Sequence, residues 1–248
     1  MKFIVGLLLF SQYAFSEVLI AHCRDRPPEL QITQDGCGGP VAEMIELAVL
    51  RIGHEVKWVN VPWARTINTA KSGMVDIIPR HSISAERRKF LHAVSYGCQV
   101  RHVSFIVKLG SDIKIEDSNS LSSYRVGVIR GSFYSNSISK RQYSGLHAVD
   151  DNEQLISMLL NNRIDIAITS SDHGVEIFKA QEGLAELDYK EKFHNSRYIS
   201  MPKQSDKSRY YSDFGIEILE MRLSGEVAKI FSKHNLPPPE QNCQINKP

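Results

Sequence analysis

The sequence predicts an α/β protein built from two similar halves, and two stretches support this. Residues 61–90, VPWARTINTAKSGMVDIIPRHSISAERRKF, combine a helix-compatible segment, a Ser-Gly stop, a short apolar strand and a basic loop. Residues 160–172, LNNRIDIAITSSD, repeat the pattern of residues 71–82, KSGMVDIIPRHS, in which a polar break precedes an apolar run with one Asp. Because any two βαβ segments give such matches, a chance similarity stays open beside two true halves.

The remaining elements alternate between strands and helices. Pro40 at the first helical position and Gly53 after the end delimit the first helix. Strands are predicted at 18–23, 55–61, 74–79, 99–107, 124–129 and 196–202, and helices at 40–52, 66–71, 153–160, 210–224 and 225–234. Residues 24–39 are expected to form a loop, and the polar residues 108–123 a passage between domains.

The strand at 74–79 suits a parallel sheet buried on both faces. Ligands of open α/β sheets bind beyond the carboxyl ends of such strands, where backbone N–H groups favour an anion. Ser82, Ser84 and Arg87 follow this strand and are therefore candidate anion ligands. The alternative is that Arg80, Arg87 and Arg88 form a solvated run of charge.

The amino terminus matches the layout of a secretory signal. Lys2 precedes an apolar run from Phe3 to Phe10, and Ala14-Phe15-Ser16 precedes Glu17, which predicts cleavage after Ser16 and a soluble protein in an oxidising compartment. The apolar run is shorter than the ~20 residues of a membrane span. The net charge of +2 gives no reason to expect nucleic acid or an anionic membrane as a partner.

Four cysteines in an exported chain favour disulfides over free thiols, and they allow three connectivities. Cys23 ends the first strand and Cys37 lies in the loop beyond it, so we pair these two and leave Cys98 with Cys243. None of the spacings is C-x-x-C, and no metal or cofactor is predicted.

Several motifs together resemble family 3 of the bacterial periplasmic solute-binding proteins, the polar-amino-acid receptors of ABC importers. They are Pro-Pro after the first strand, the Gly-Gly-Pro helix entry, VPWAR followed by SGMVDII, then ISAERR, SYRVGVIRGS, NNRIDIAI and SGEVAKIF. The motifs are unspecific singly, but they occur in the family's order over nearly all of residues 17–248.

The resemblance implies a two-lobed type II clamshell with lobe 2 inserted into lobe 1. Residues 17–105 and 198–248 would form lobe 1 and residues 106–197 lobe 2, with hinges near 104–108 and 195–200. A small-molecule ligand would bind between the lobes of a monomer, and closure would be read by a membrane permease of an ABC importer.

The resemblance also assigns ligand-binding residues. Arg87 matches the arginine that binds the ligand carboxylate, and Ser82 matches a hydrogen-bond donor. Trp63 matches an aromatic wall, with burial in a core as the alternative. Gly131 and Ser132 match the turn of lobe 2 that meets the carboxylate.

Three departures from the family favour an anion over an amino acid. Ser170 stands where the family has its amine-binding acid, although Asp25, Glu29 or Asp172 are candidate substitutes. Phe133 stands where a hydroxyl is usual. Arg26 replaces an aromatic wall, and Arg65 and Arg80 add cations, so a zwitterion loses its partner while an anion gains several.

Two other classes of protein remain open. A sensory clamshell that docks on a membrane signalling protein would use the same closure as a receptor. An enzyme resembling cyclohexadienyl dehydratase would need a general acid in the cleft, with Glu29 or Asp172 as candidates. No nucleophile is paired with a base in the sequence, so we expect a binding protein rather than an enzyme.

Overall fold

The computed structural model describes residues 16–34, 36–135, 138, 145–170 and 172–241, with the backbone alone at 172 and 173. Its strands are β1 Val18–Cys23, β2 Gln31–Thr33, β3 Gly36–Gly38, β4 Glu55–Asn60, β5 Ile78–His81, β6 Leu91–Lys108, β7 Val126–Ile129, β8 Leu146–Val149, β9 Ile166–Thr169 and β10 Leu184–Pro202. Its α-helices are α1 Pro40–Arg51, α2 Trp63–Lys71, α3 Ala85–Phe90, α4 Asn152–Leu160, α5 Asp172–Lys179, α6 Tyr211–Leu223 and α7 Glu226–Lys233. Short 3-10 helices cover Ser120–Ser123 and Asp206–Tyr210.

Two long strands, β6 and β10, join the halves of the molecule. They pair antiparallel along their length in a six-stranded sheet of order β5-β10-β6-β9-β7-β8, while β1 and β4 pair in parallel. Near one end Tyr96 and Ile199 belong to a core with β1, α1, α6 and α7. Further along β6, Val103 and Phe105 belong to a second core with β7 and β9. The chain therefore forms a two-lobed α/β clamshell in which the second lobe is inserted into the first.

The point where these strands pass between the lobes has irregular pairing. Gly97 has φ +146 and lies opposite Arg197, where the register of the β6–β10 ladder shifts. Only Gly adopts such a backbone conformation without strain. The lobe boundary at residue 105 stays a prediction, and we propose that the crossing lies nearer residues 97–102, because Val103 already packs in the second core.

The predicted parallel strand at 74–79 is displaced in the structure, and its pairing is different. β5 starts at Ile78 and pairs antiparallel with β10, whereas Ile77 forms a parallel bridge to Ala21. Asp76 explains the displacement, because its carboxylate accepts the Ile20 N–H at 2.7 Å and the Ser205 hydroxyl at 2.5 Å. These bonds hold the first part of the apolar run outside the ladder.

The two Asp residues of the repeated pattern have the same structural role. Asp76 accepts the backbone N–H of Ile20 near the start of β1, and Asp165 accepts that of Arg125, which directly precedes β7, at 2.8 Å. Each carboxylate therefore binds the backbone of the first strand of its own lobe. This correspondence favours two similar halves over a chance match of sequence.

Several other predicted elements differ in extent, including β6, which begins at Leu91 instead of residue 99. The loop at 24–39 contains the β2–β3 hairpin, and helix α2 begins at Trp63 instead of residue 66. β10 is far longer than the predicted strand at 196–202. The prediction missed its first part, because that part is mostly exposed or half-buried and carries many charges. Such a strand lacks the apolar run that marks a buried one.

A disulfide joins Cys23 to Cys37, which confirms the predicted pairing. Cys98 is also disulfide-bonded. Its predicted partner Cys243 and the predicted signal segment at 1–16, apart from Ser16, lie outside the described residues. Within the described part of the chain, no helix is long and apolar enough to cross a membrane.

Replacing Cys23 and Cys37 together with Ala should lower the free energy of unfolding by ~3 kcal/mol, because the bond closes a loop of about 15 residues in the unfolded chain. Urea denaturation of the double variant beside the oxidised protein measures this difference. A loss well below 1 kcal/mol would show that the bond contributes little to stability.

Candidate functional site

A cavity rich in arginine lies between the two lobes. Its walls come from the segment after β1, from α2, from β5 and α3, from the segments after β7 and β9, and from the middle of β6 and β10. The lining residues are Arg24, Arg26, Trp63, Arg80, His81, Ser82, Arg87, Gln99, Arg101, Ser132, Phe133, Ser170, Asn195 and Arg197. Six of these described residues are arginines and none is acidic.

Arg87 connects the two lobes directly. Ser84 caps helix α3 by accepting the Arg87 N–H at 3.2 Å, which fixes the start of this short helix. The buried guanidinium donates from Nη1 to the Ser82 carbonyl and from Nη2 to the Gly131 carbonyl, both at 2.5 Å. Burial lowers the pKa of Arg87 to about 10, so the side chain stays charged at neutral pH. Both terminal nitrogens bind backbone oxygen, so the predicted carboxylate contact of Arg87 stays a prediction.

Trp63 packs against cations on its ring. The guanidinium carbon of Arg24 lies 4.0 Å from the ring centroid, and that of Arg87 lies 5.0 Å away. The indole Nε1 donates to the same Gly131 carbonyl at 3.0 Å. The ring thus positions two arginines by cation–π contact, and its predicted contact with a ligand side chain stays a prediction.

Glu29 supplies the negative charge behind the cavity wall. Its carboxylate accepts from Arg80 Nε at 2.5 Å and pairs with Arg197 Nη1 at 2.6 Å. Burial raises the pKa of Glu29, but the charges and hydrogen bonds of the two arginines outweigh burial and lower it. The carboxylate of Glu29 is ionised, so it is poorly suited to act as a general acid. Each of its oxygens already binds an arginine, so it is also poorly suited to bind a ligand ammonium.

The hinge strands contribute site residues that the sequence analysis missed. Gln99 and Arg101 alternate on β6, Asn195 and Arg197 alternate on β10, and Gln99 lies opposite Asn195. On β6, the alternation of Gln99 and Arg101 with Val100 is the signal that could have found them, whereas β10 is polar at His194 and Ser196 as well and gives no such signal. Asn195 also accepts the Ser82 hydroxyl at 2.7 Å, which ties β10 to the segment after β5.

The arginines of the cavity repel one another. Burial and the charges of Arg80, Arg26 and Arg197 hold the pKa of Arg101 well below its usual range. Burial and neighbouring guanidiniums likewise hold the pKa of Arg24 well below its usual range. Within the described residues, the guanidiniums of Arg26 and Arg101 have no hydrogen bond or ion pair. The cavity therefore contains positive charge that the protein does not neutralise.

His81 adds no charge to this cavity. Its Nε2 lies 2.8 Å from the Ser200 hydroxyl and its Nδ1 lies 2.8 Å from the Ser82 carbonyl. Burial, followed by the charge of Arg87, lowers the pKa of His81 to about 3, so the ring is neutral at neutral pH.

The neighbouring residue Arg80 has φ +41, a left-handed backbone conformation that is rare for residues other than Gly. This conformation costs of order 1–3 kcal/mol.

The structure places most predicted site residues at the cavity and two elsewhere. Arg26, Arg80, Ser82, Ser132, Phe133 and Ser170 line it, and Gly131 contributes its carbonyl to the opposite wall. Arg65 is exposed on α2 outside the cavity, because its neighbour Thr66 faces inward and contacts His22 at 3.2 Å. Ser84 is a helix cap rather than a lining residue.

Of the three acids considered as substitutes at position 170, none is described lining the cavity. Glu29 is engaged by its two arginines, and the side chain of Asp172 lies outside the description. Asp25 is exposed, but it lines an adjoining part of the cleft that also includes Arg24, Arg26 and Ser170. Among the described residues, no group of three or more His, Cys, Asp or Glu is arranged to hold a metal ion.

The fold and cleft define a two-lobed α/β binding protein. The chain belongs to the bacterial extracellular solute-binding proteins, family 3, whose family model matches residues 18–237. No curated protein matches the chain at a significant level.

Solved structures with the same fold include both sensors and transport proteins. A histidine kinase sensor domain with similarity to periplasmic binding proteins has a TM-score of 0.70 and 18% identity, covering 90% of this chain and 98% of its own. The amino acid ABC transporter substrate-binding protein AbpA from Streptococcus pneumoniae, bound to L-arginine, has a TM-score of 0.67 and 21% identity, with 88% and 94% covered. ArtJ from Geobacillus stearothermophilus, an arginine-, lysine- and histidine-binding protein, has a TM-score of 0.68 and 18% identity, with 90% and 97% covered. These matches support the type II clamshell fold.

Proposed function

We propose that this protein is an exported receptor that captures a small anion without an ammonium group in its interlobe cleft. The observation that carries the proposal is the lining of the arginine-rich cavity, in which six arginines and no acid occur among the described residues. An ammonium placed in this cavity beside Ser170 would find no carboxylate among the lining residues. The desolvation penalty would be a few kcal/mol, which corresponds to two or more decades of affinity.

Capture is coupled to closure of the clamshell in this proposal. Trp63 and Arg87 from lobe 1 already contact Gly131 of lobe 2, so the described arrangement has contacts across the cleft. A ligand that touches arginines of both walls and the hinge strands favours this arrangement over an open one. A permease of an ABC importer would read the closed form, after export and cleavage of the segment at 1–16.

A second candidate reader is a membrane signalling protein. The likeness to a histidine kinase sensor domain supports this candidate. In that case, closure of the clamshell around the ligand would be the signal that the membrane protein detects. An enzymatic role has less support, since the engaged carboxylate of Glu29 cannot easily supply a proton.

A thermal-shift panel of the twenty amino acids beside small carboxylates tests the proposal. A true ligand at about 100 times its dissociation constant adds ~2.7 kcal/mol. For a chain of this size the melting temperature should then rise by roughly 5–10 °C.

We expect shifts of this size from carboxylates lacking an amine. Strong shifts from amino acids, with none from the carboxylates, would contradict the proposal and point to another acid, with Asp172→Asn as the variant to examine next.

A further inference from the structure

We infer that the captured solute carries two or more negative charges, as a di- or tricarboxylate or a phosphate ester does. The inference rests on the proposed function, because it specifies which anions the same cleft accepts. It follows from the guanidiniums that remain without partners once the contacts among the described residues are counted.

The protein itself satisfies only some of the cleft arginines. Glu29 binds Arg80 and Arg197, and this one carboxylate faces two cations. Arg87 uses both terminal nitrogens on neutral carbonyl groups, which satisfy its donors and leave its charge. Each of these contacts therefore orders an arginine without neutralising the cleft.

The remaining cations face the cavity with donors available. The guanidiniums of Arg26 and Arg101 have no hydrogen bond or ion pair among the described residues. Arg24 donates from Nη2 to the Arg80 carbonyl at 2.6 Å, but its buried Nε has no partner, and neither does the buried Nε of Arg197. Buried donors without partners are rare in folded proteins and indicate an absent group that accepts hydrogen bonds.

These cations line one cavity from several segments of the chain. Arg24 stacks on Trp63 close to Arg87, and Arg101 lies on the hinge strand β6. Arg24 is near enough to Arg26, Arg80, Arg87 and Arg101 for their charges to interact. One negative charge would neutralise only part of this set, whereas two or more charges on one solute would neutralise more of it.

Titration calorimetry with matched pairs of anions tests this inference. Butyrate and succinate share a four-carbon chain and differ by one carboxylate, and glycerol 3-phosphate is paired with glycerol as a second arm. In at least one pair, we expect the member with more negative charge, succinate or glycerol 3-phosphate, to bind about 100-fold more tightly than its partner. This preference should shrink as the salt concentration rises from 50 to 200 mM. The two arms distinguish a polycarboxylate site from a phosphate site.

The variants Arg101→Gln and Arg65→Gln remove the same charge inside and outside the cleft. Arg101→Gln should weaken binding of the dianion at least tenfold and should reduce its preference over the monoanion, while Arg65→Gln should change either affinity less than threefold. Because the Arg101 guanidinium has no partner among the described residues, its replacement should not lower the melting temperature.

Three results would overturn the inference. They are affinities within threefold of each other in both pairs, absence of binding by every polyanion in the series, or an unchanged preference in Arg101→Gln. Monoanions binding as well as dianions would leave the proposed function intact. Binding of amino acids alone would contradict the proposed function itself.

Discussion

Replacement of Glu29 with Gln is expected to lower the free energy of unfolding by roughly 3–5 kcal/mol, because it leaves two buried cations without their counter-charge. Arg80 and Arg197 both bind this carboxylate, and both side chains are largely buried. A loss of this size corresponds to a fall in melting temperature of roughly 6–20 °C for a chain of this length.

The control for Glu29→Gln is Glu86→Gln, which removes the same charge on the surface. Glu86 is exposed and lies 3.4 Å from Lys71, so its replacement should change stability by less than about 0.5 kcal/mol. Addition of a tightly bound anion should restore part of the loss in Glu29→Gln, since the anion supplies the missing charge. Equal stability of the two variants would show that Arg80 and Arg197 do not depend on Glu29.

Arg87→Ala is expected to weaken ligand binding by roughly 2–5 kcal/mol, or about 30-fold to several thousand-fold. The variant removes a buried positive charge and both hydrogen bonds that connect Ser82 to Gly131 across the cleft. Loss of closure and loss of charge thus act in the same direction. Calorimetry with the anion identified in the thermal-shift panel measures the change.

Arg88→Ala provides a matched comparison for Arg87→Ala. Arg88 is the next residue of α3, but it is exposed and lies 5.9 Å from the ring of Tyr198. Its replacement should leave the ligand affinity within about threefold. If both variants bind the anion equally well, Arg87 has no role in capture.

The order of motifs in the sequence predicted the clamshell and the position of most of the cleft. Trp63 belongs to the Pro-Trp-Ala-Arg motif, and Arg80 and Arg87 follow the apolar strand after it, so their neighbourhood could be inferred from local spacing. Arg65 was misplaced, because the direction of a helical side chain depends on where the helix begins. With α2 starting at Trp63, Arg65 faces solvent beside an inward-facing Thr66.

The contacts between distant segments could not be predicted in the same way. The carbonyl of Gly131 meets Trp63 and Arg87 through the closure of two lobes, which no local pattern encodes. The pairing of Gln99 with Asn195 depends on the register of two long strands. The alternation of polar residues suggests which face they share, but the sequence alone gives neither the partner strand nor its alignment.

The surroundings of Trp63 should make its intrinsic fluorescence sensitive to the conformation of the cleft. The chain has two tryptophans, and the other, Trp58, lies on β4 with its Nε1 bound to Glu46 at 2.7 Å. Indole emission responds to nearby charge, and Trp63 has guanidiniums against its ring and a cross-lobe carbonyl at its Nε1. Opening and closing of the cleft can therefore be followed by intrinsic fluorescence, with Trp58 as a steady background and Trp63→Phe as the blank, in protein that carries no dye.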